Sequence, residues 1–428
     1  MEKISLTSEN LLVISIMFMT FYTAPLFSYC PVRFSDIGCF ILLYLSVKEN
    51  YKIKVNLNSI VALLLILWCI VDSIILSIYP FFSILNHYTQ FIRLLFALVL
   101  YIYLPNLWEN ISLKTIVLVL KRVLIIHLMI QVLYSIIYYC GITSIFNIVS
   151  TYEQRTGLIA SNYLFFNHFI IVNTSSGSPR FSGVFEEPAW FGWTLNLIIA
   201  IILQYQCQSK SLILNKRDHG LIFVGYFLTS SVSAIFSLII IFVIYFYLNN
   251  KKHKFKVLLV SGGLIASIIA VIFTLSHSLF DRLAIITAGN DGSSNFRLIG
   301  SWNSLMTLLA NNPLIGYGLG DDNKWHYYES LSSKSFHGIT INGVEILDMH
   351  NMLFQIICNL GVLGGVLFLL LLHGLSFKRS LIIITGIGLT YFTVNVFNNF
   401  FFFTIISIAT YYWGVHKVRL NRNTIILK

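Results

Sequence analysis

Apolar runs separated by short polar breaks cover most of the chain. They lie at about 10–29, 35–47, 59–79, 88–104, 117–140, 186–205, 219–230, 232–248, 257–275, 351–373, 380–395 and 397–413. Roughly 20 apolar residues cross a bilayer as a helix, so the pattern predicts about twelve spans. The second, seventh and eleventh runs are short. Two long polar stretches, 141–183 and 276–349, interrupt the alternation. Loops of that length are usually functional or disordered. The second holds Trp302, Trp325, Tyr327 and Tyr328 among apolar runs, which predicts short amphipathic helices on the membrane surface.

Composition makes the membrane reading firm. Of 428 residues 57% are hydrophobic and only 11% charged, against about 25% charged in soluble domains. The fold class is therefore all-α: one integral membrane domain over 1–428, with the two long stretches as loops. The net charge of +11 does not imply nucleic acid, because lysines and arginines collect in cytoplasmic loops of membrane proteins. Lys48, Lys52 and Lys54 follow the second span. Lys114, Lys121 and Arg122 flank the fifth, and Lys210, Lys216 and Arg217 follow the sixth. Lys251, Lys252, Lys254 and Lys256 follow the eighth, Lys378 and Arg379 the tenth, and Lys417 to Lys428 form the tail. With twelve alternating spans all these groups fall on one side. Both termini are then cytoplasmic, and 141–183 and 276–349 face outward. Six scattered cysteines show no CxxC spacing or ligand cluster, so they read as apolar fillers, and no metal or cofactor is expected.

Candidate chemistry collects in the outer stretches. Arg180-Phe-Ser-Gly-Val-Phe-Glu-Glu-Pro-Ala-Trp-Phe-Gly192 ends the first loop and opens a span. Pro188 suits the first helical turn. Glu186 and Glu187 sit where the helix dipole favours negative charge. Trp190 and Trp193 read as interfacial anchors. A well-capped helix end beside loop charges is the plainer alternative. His350 and Asn351 open the tenth span, and eleven helical steps on, Gly361 returns to nearly the same face, flanked by Gly364 and Gly365. That places a histidine, suited to proton transfer near neutrality, above small residues that admit a neighbouring helix. Between Arg297 and His350 runs Asn311-Asn-Pro-Leu-Ile-Gly-Tyr-Gly-Leu-Gly320, whose glycines mark turns or a close backbone approach. Asp321 and Asp322 read as an exposed turn more readily than as metal ligands. Arg93 lies within the fourth span, where charge is costly and faces the interior, with Asp72 as a plausible partner. Asn395, Asn398 and Asn399 suit hydrogen bonding between the last helices. The guanidinium fork common to these stretches suits phosphate oxygens.

Three stretches together resemble the bacterial O-antigen ligase/polymerase superfamily. His350-Asn351 followed by Gly361-Val-Leu-Gly364 is similar to its signature. Pro313-Leu-Ile-Gly316-Tyr-Gly318, with Arg297 and Trp302 upstream, resembles its proline–glycine segment. Arg180-Phe-Ser-Gly183 with Glu187-Pro188 resembles a stretch common in its repeat-unit polymerases. The similarity runs over about 150–375. It implies a metal-independent membrane glycosyltransferase of the GT-C type in the cytoplasmic (inner) membrane. Such an enzyme moves a growing glycan from undecaprenyl pyrophosphate to an incoming lipid-linked repeat unit on the outer membrane face. It also implies a chain-length regulator as partner. On that resemblance His350 matches the base and Arg180 and Arg297 match pyrophosphate contacts. Glu187 is the better match to the motif's acid, with Glu186 beside it, and Arg93 and Asn351 join the substrate contacts. A glycan ligase and a lipid-linked sugar flippase remain as alternatives.

Overall fold

A computed structural model describes residues 6–21, 32–50, 52–53, 56–140, 146–149, 158–163, 169–173, 179–185, 188–229, 231–249, 300–332, 340–341, 344–345, 351–372, 374–393 and 399–414. Helices stand at eleven of the expected span positions, α2 (Phe34–Glu49) and α12 (Phe377–Thr393) among them. The expected span 257–275 lies outside the described residues. Among the described residues five helices are long and apolar enough to cross a membrane: α3 (Leu57–Leu76), α4 (Ile84–Asn110), α5 (Leu113–Tyr139), α6 (Pro188–Ser209) and α11 (Met352–Leu370). Shorter apolar segments add to them at Glu9–Thr20, Ser233–Asn249, Arg379–Thr390 and Phe400–Trp413. The chain is a multi-pass, predominantly helical membrane protein.

The chain divides into two compact units. The first holds Met1–Ile41, Ile111–Thr287 and Ser380–Leu389; the second holds Leu42–Asn110, Ala288–Arg379 and Thr390–Lys428.

In the first unit α1 (Leu6–Thr20), α5, α6, α7 (Lys216–Thr229) and α8 (Val232–Asn249) pack together. α6 is the central helix, buried along nearly its whole length from Pro188 to Gln206. Trp193, which the sequence suggested as an interfacial anchor, is 3% exposed and belongs to the interior. Gly192 lets α8 approach, since a Cβ there would collide with Ala234. Lys121 pairs with Asp218 at 2.6 Å and donates to the Ile213 carbonyl at 2.8 Å. That contact joins the start of α5 to the start of α7, uniting two basic groups that the charge pattern assigns to one side. Between α5 and α6 the first loop carries a four-stranded antiparallel sheet in the order β1 (Phe146–Val149), β2 (Leu158–Tyr163), β3 (Phe169–Asn173), β4 (Pro179–Arg180). Hydropathy did not anticipate these strands, because they lie in the stretch without span-length apolar runs.

In the second unit α3 and α4 pack on each other, α3 also on α11 and α4 on α13 (Phe400–Trp413). An Asn56–Ser59 capping box starts α3, which satisfies two backbone donors at once. Trp108 donates to Ser407 at 3.0 Å, and Tyr412 to the Trp108 carbonyl at 2.9 Å, fixing α4 to α13. The expected short helices of the second loop appear as α9 (Ser301–Asn311) and α10 (Asp321–Ser330). They close on a small core of Leu305, Leu308, Tyr317, Tyr327, Tyr328 and Cys358. Burial, with Cys358 as a smaller cause, holds the Tyr328 hydroxyl well above its ordinary pKa. It therefore stays a donor, to the Ser304 carbonyl at 2.8 Å.

Candidate functional site

The second unit is organised around a break in α11. Gly361 has φ 69° and ψ 178°, so the helix is interrupted there. The break opens the backbone ladder, and the glycine loop before α10 takes its place. The Val362 N–H, which would serve Cys358 in an unbroken helix, donates instead to the Pro313 carbonyl at 2.8 Å. The Cys358 carbonyl receives the Tyr317 N–H at 2.9 Å, and the Asn359 carbonyl receives the Gly318 N–H at 3.0 Å. Trp68 of α3 donates its indole N–H to the Leu360 carbonyl at 2.8 Å. Every one of these exchanges answers a backbone group that hydrocarbon would leave unpaired.

Two glycines make the exchange possible. A Cβ on Gly361 would run into the Leu314 carbonyl, and one on Gly316 (φ 65°) into the Cys358 carbonyl. The sequence places Gly361 on a continuous face below His350; the structure corrects this, because helical phase does not carry through a non-helical residue. The neighbour at Gly361 is the Pro313–Gly318 loop and not a helix. Only at Gly364 does a helix approach, where Trp68 Nε1 would lie 3.1 Å from an added Cβ. The close approach that Gly316 signalled is thus to protein backbone, and those at Gly318 and Gly320 are to the side chains of Leu76, His87 and Asn86.

The far end of the loop rests on His87 in the first turn of α4. The Leu319 N–H donates to His87 Nδ1 at 3.0 Å. His87 Nε2 meets Ser73 Oγ at 2.7 Å, and that hydroxyl donates onward to the Cys69 carbonyl at 2.6 Å. With Nδ1 accepting, the proton belongs on Nε2. Asn323 completes the clamp by donating to the Leu319 carbonyl at 2.7 Å.

In the first unit the Arg180 stretch is anchored differently. β4 pairs Arg180 with Ile171. The Phe181 N–H then donates to the Leu228 carbonyl at 3.1 Å, and Gln131 Nε2 to the Phe181 carbonyl at 2.7 Å. Gly183 (φ 59°) turns the chain, with Gln131 Oε1 3.1 Å from where its Cβ would stand. Phe185 then packs on the buried His127 ring at 5.0 Å, and His127 Nε2 meets Thr20 at 2.8 Å. α6 begins at Pro188, as the proline predicts.

A family model described as O-antigen ligase matches residues 220–369. The matched segment, about a third of the chain, is similar to that family. The match supports the O-antigen ligase/polymerase superfamily, whose members are membrane glycosyltransferase-like enzymes acting on lipid-linked polysaccharides. No curated protein matches the chain. The matched segment takes in most of α7, then α8, Arg297, α9, the glycine loop, α10, His350 and all but the last residue of α11. Arg93, Arg180, Glu186 and Glu187 precede it.

Of the sequence-derived candidates, Asn351 is described in full. It is buried and caps α11, accepting the Phe354 N–H at 3.2 Å. Arg93 is half-buried within α4 and makes contacts there. The suggested Arg93–Asp72 pairing is not formed: Asp72 is fully buried, and neither carboxylate oxygen finds a hydrogen bond among the described residues. Arg180 is placed by its backbone alone. His350, Glu186, Glu187, Arg297, Asn395 and Asn398 lie outside the described residues, as do the side chains of Asp321 and Asp322. Asn399 caps α13, accepting from Phe401 and Phe402. Among the described residues no three His, Cys, Asp or Glu side chains gather as a metal site. Sequence reasoning missed His87, Trp68, Gln131 and His127. Each is a polar-tipped side chain in or at the edge of an apolar run, which was the available signal.

Proposed function

We propose that the protein is a surface-polysaccharide polymerase. It transfers a glycan from undecaprenyl pyrophosphate onto the sugar of an incoming lipid-linked repeat unit, at the outer face of the cytoplasmic membrane. The observation that carries this reading is the O-antigen ligase match across the glycine loop and the broken helix that His350 precedes. The Arg180–Pro188 stretch outside the match favours a polymerase over a ligase by its resemblance.

In this reading His350 takes the proton of the acceptor hydroxyl as its oxygen attacks the anomeric carbon, with Glu187 as the second candidate base. A positioned base supplies about 10² to 10⁴ in rate. The bond to pyrophosphate breaks, and Arg180 and Arg297 stabilise the charge on the departing phosphate, the kind of effect that dominates where water is scarce. Arg93, Asn351 and Glu186 contribute to substrate contacts. Holding both lipid-linked substrates in one bilayer raises their effective concentration. A chain-length regulator would act on the elongating complex.

The topology belongs to the proposal: both termini cytoplasmic, with 141–183 and 276–349 outside. Cysteines placed at Ser293 and Ser332 should react with an impermeant thiol reagent in intact cells, and labelling only after lysis would contradict it. Gene deletion separates the functions. Loss of a polymerase leaves single repeat units on the final acceptor. Loss of a ligase leaves long chains on the lipid carrier, and loss of a flippase leaves unpolymerised units facing the cytoplasm. Single capped units are the expected result.

A further inference from the structure

The first two turns of α11 carry amides at four-residue steps. Asn351, Gln355 and Asn359 share one face, with exposures of 0%, 5% and 2%. Asn351 uses its Oδ1 as the helix cap, and its Nδ2 has no partner among the described residues. Gln355 Oε1 likewise has none. A buried donor and a buried acceptor thus stand one turn apart, both unmade. Each such omission costs about 1–3 kcal/mol. It stands out on a helix whose neighbouring backbone break draws partners from both the glycine loop and Trp68. Beside them Trp302 of α9 is 51% exposed, its ring 5.9 Å from Phe354, the residue before Gln355. An aromatic plane accepts the C–H face of a sugar ring, and a few placed amides fix its orientation.

We propose that Asn351 and Gln355 determine acceptor specificity by receiving a sugar substituent that both accepts and donates hydrogen bonds. Asn351 Nδ2 donates to it and Gln355 Oε1 accepts from it. A vicinal hydroxyl pair and an acetamido group share this chemistry. The assignment rests on the glycosyl-transfer reading and adds to it the side chains that read the sugar.

Saturation-transfer NMR on the purified full chain in detergent tests it, with glucose and N-acetylglucosamine as probes. The native chain should transfer saturation to at least one sugar. Stronger transfer to N-acetylglucosamine assigns the acetamido group, and equal transfer assigns the hydroxyls. Gln355→Leu should lower the signal at least about fivefold, while Gln355→Glu, which keeps an acceptor, should retain it. If Gln355→Leu fails to accumulate, Gln355→Met removes the same acceptor on an unbranched chain. Equal saturation in the native chain and the apolar variant overturns the proposal, as does no saturation on either sugar. Reconstituted native protein separates the two claims. No ladder of repeats from native protein, while Gln355→Leu loses sugar binding, sinks the glycosyl-transfer reading and leaves the subsite standing. A native ladder with binding unchanged in Gln355→Leu sinks the subsite alone.

Discussion

The two units hold their motif stretches by different means. In the second, the glycine loop and α11 exchange backbone bonds directly, and side chains at Gly316 and Gly361 have no room. In the first, the Arg180 stretch adds to its backbone bonds side chains reaching from helices, with Gln131 at the Phe181 carbonyl and His127 under Phe185. Backbone-to-backbone contact tolerates no added atom, whereas a side-chain prop can be shortened at the cost of about one hydrogen bond. Motif glycines therefore report a close approach, whereas the role proposed for the motif arginines is chemical.

The contrast breaks most sharply at the glycines. Gly361→Ala adds a Cβ onto the Leu314 carbonyl at a positive φ. Positive φ alone costs about 1–3 kcal/mol in a side-chain-bearing residue, and the collision adds to it. The variant should fail to accumulate or should melt many degrees lower in detergent. Gly388→Ala, with nothing within 4 Å of its Cβ, should match the native melting curve. Equal melting of Gly361→Ala and Gly388→Ala would dissolve the interlock.

Next in size are the arginines. If Arg180 and Arg297 grip pyrophosphate through a two-pronged hydrogen bond, lysine offers charge without the fork. Arg180→Lys and Arg297→Lys should each cut elongation at least about tenfold, roughly 1.4 kcal/mol of barrier, at unchanged abundance. Near-native chain length in both would reduce them to exposed ion-pair partners, which are worth about 0–1 kcal/mol.

A smaller effect is expected at the props. Gln131→Leu removes the bond to the Phe181 carbonyl, and Trp68→Phe the one to the Leu360 carbonyl. A typical net hydrogen bond is worth about 1 kcal/mol. Each variant should accumulate, with Gln131→Leu loosening proteolytic protection near Arg180 more than Trp68→Phe loosens it near Gly361, where the backbone bonds of Tyr317, Gly318 and Val362 remain. Equal loosening in both would contradict the division of labour between side-chain and backbone anchoring.

Hydropathy made the helices legible because a span has to be apolar throughout. The proline made the start of α6 legible. The glycines announced a close approach, but not what approached, since one sequence cannot say which backbone lies opposite. Gly361 read as helical for the same reason: nothing local marks a broken helix when its freed carbonyls are met by Tyr317, Gly318 and Trp68 from elsewhere in the chain. Asp72 was assigned a partner by the cost of buried charge alone, and that cost names no partner. The four-stranded sheet stayed hidden because its strands are short and sit in a stretch read for its polarity.

The central claim is transfer catalysed beside the α11 mouth. The direct measurement reconstitutes purified protein in vesicles with lipid-linked repeat units and resolves the products by length. The native chain should build a ladder of repeats, and His350→Ala, reconstituted at the same level, should leave the substrate as single units. A ladder undiminished in His350→Ala would contradict the assignment of the base, and native protein that builds no ladder would contradict the polymerase itself.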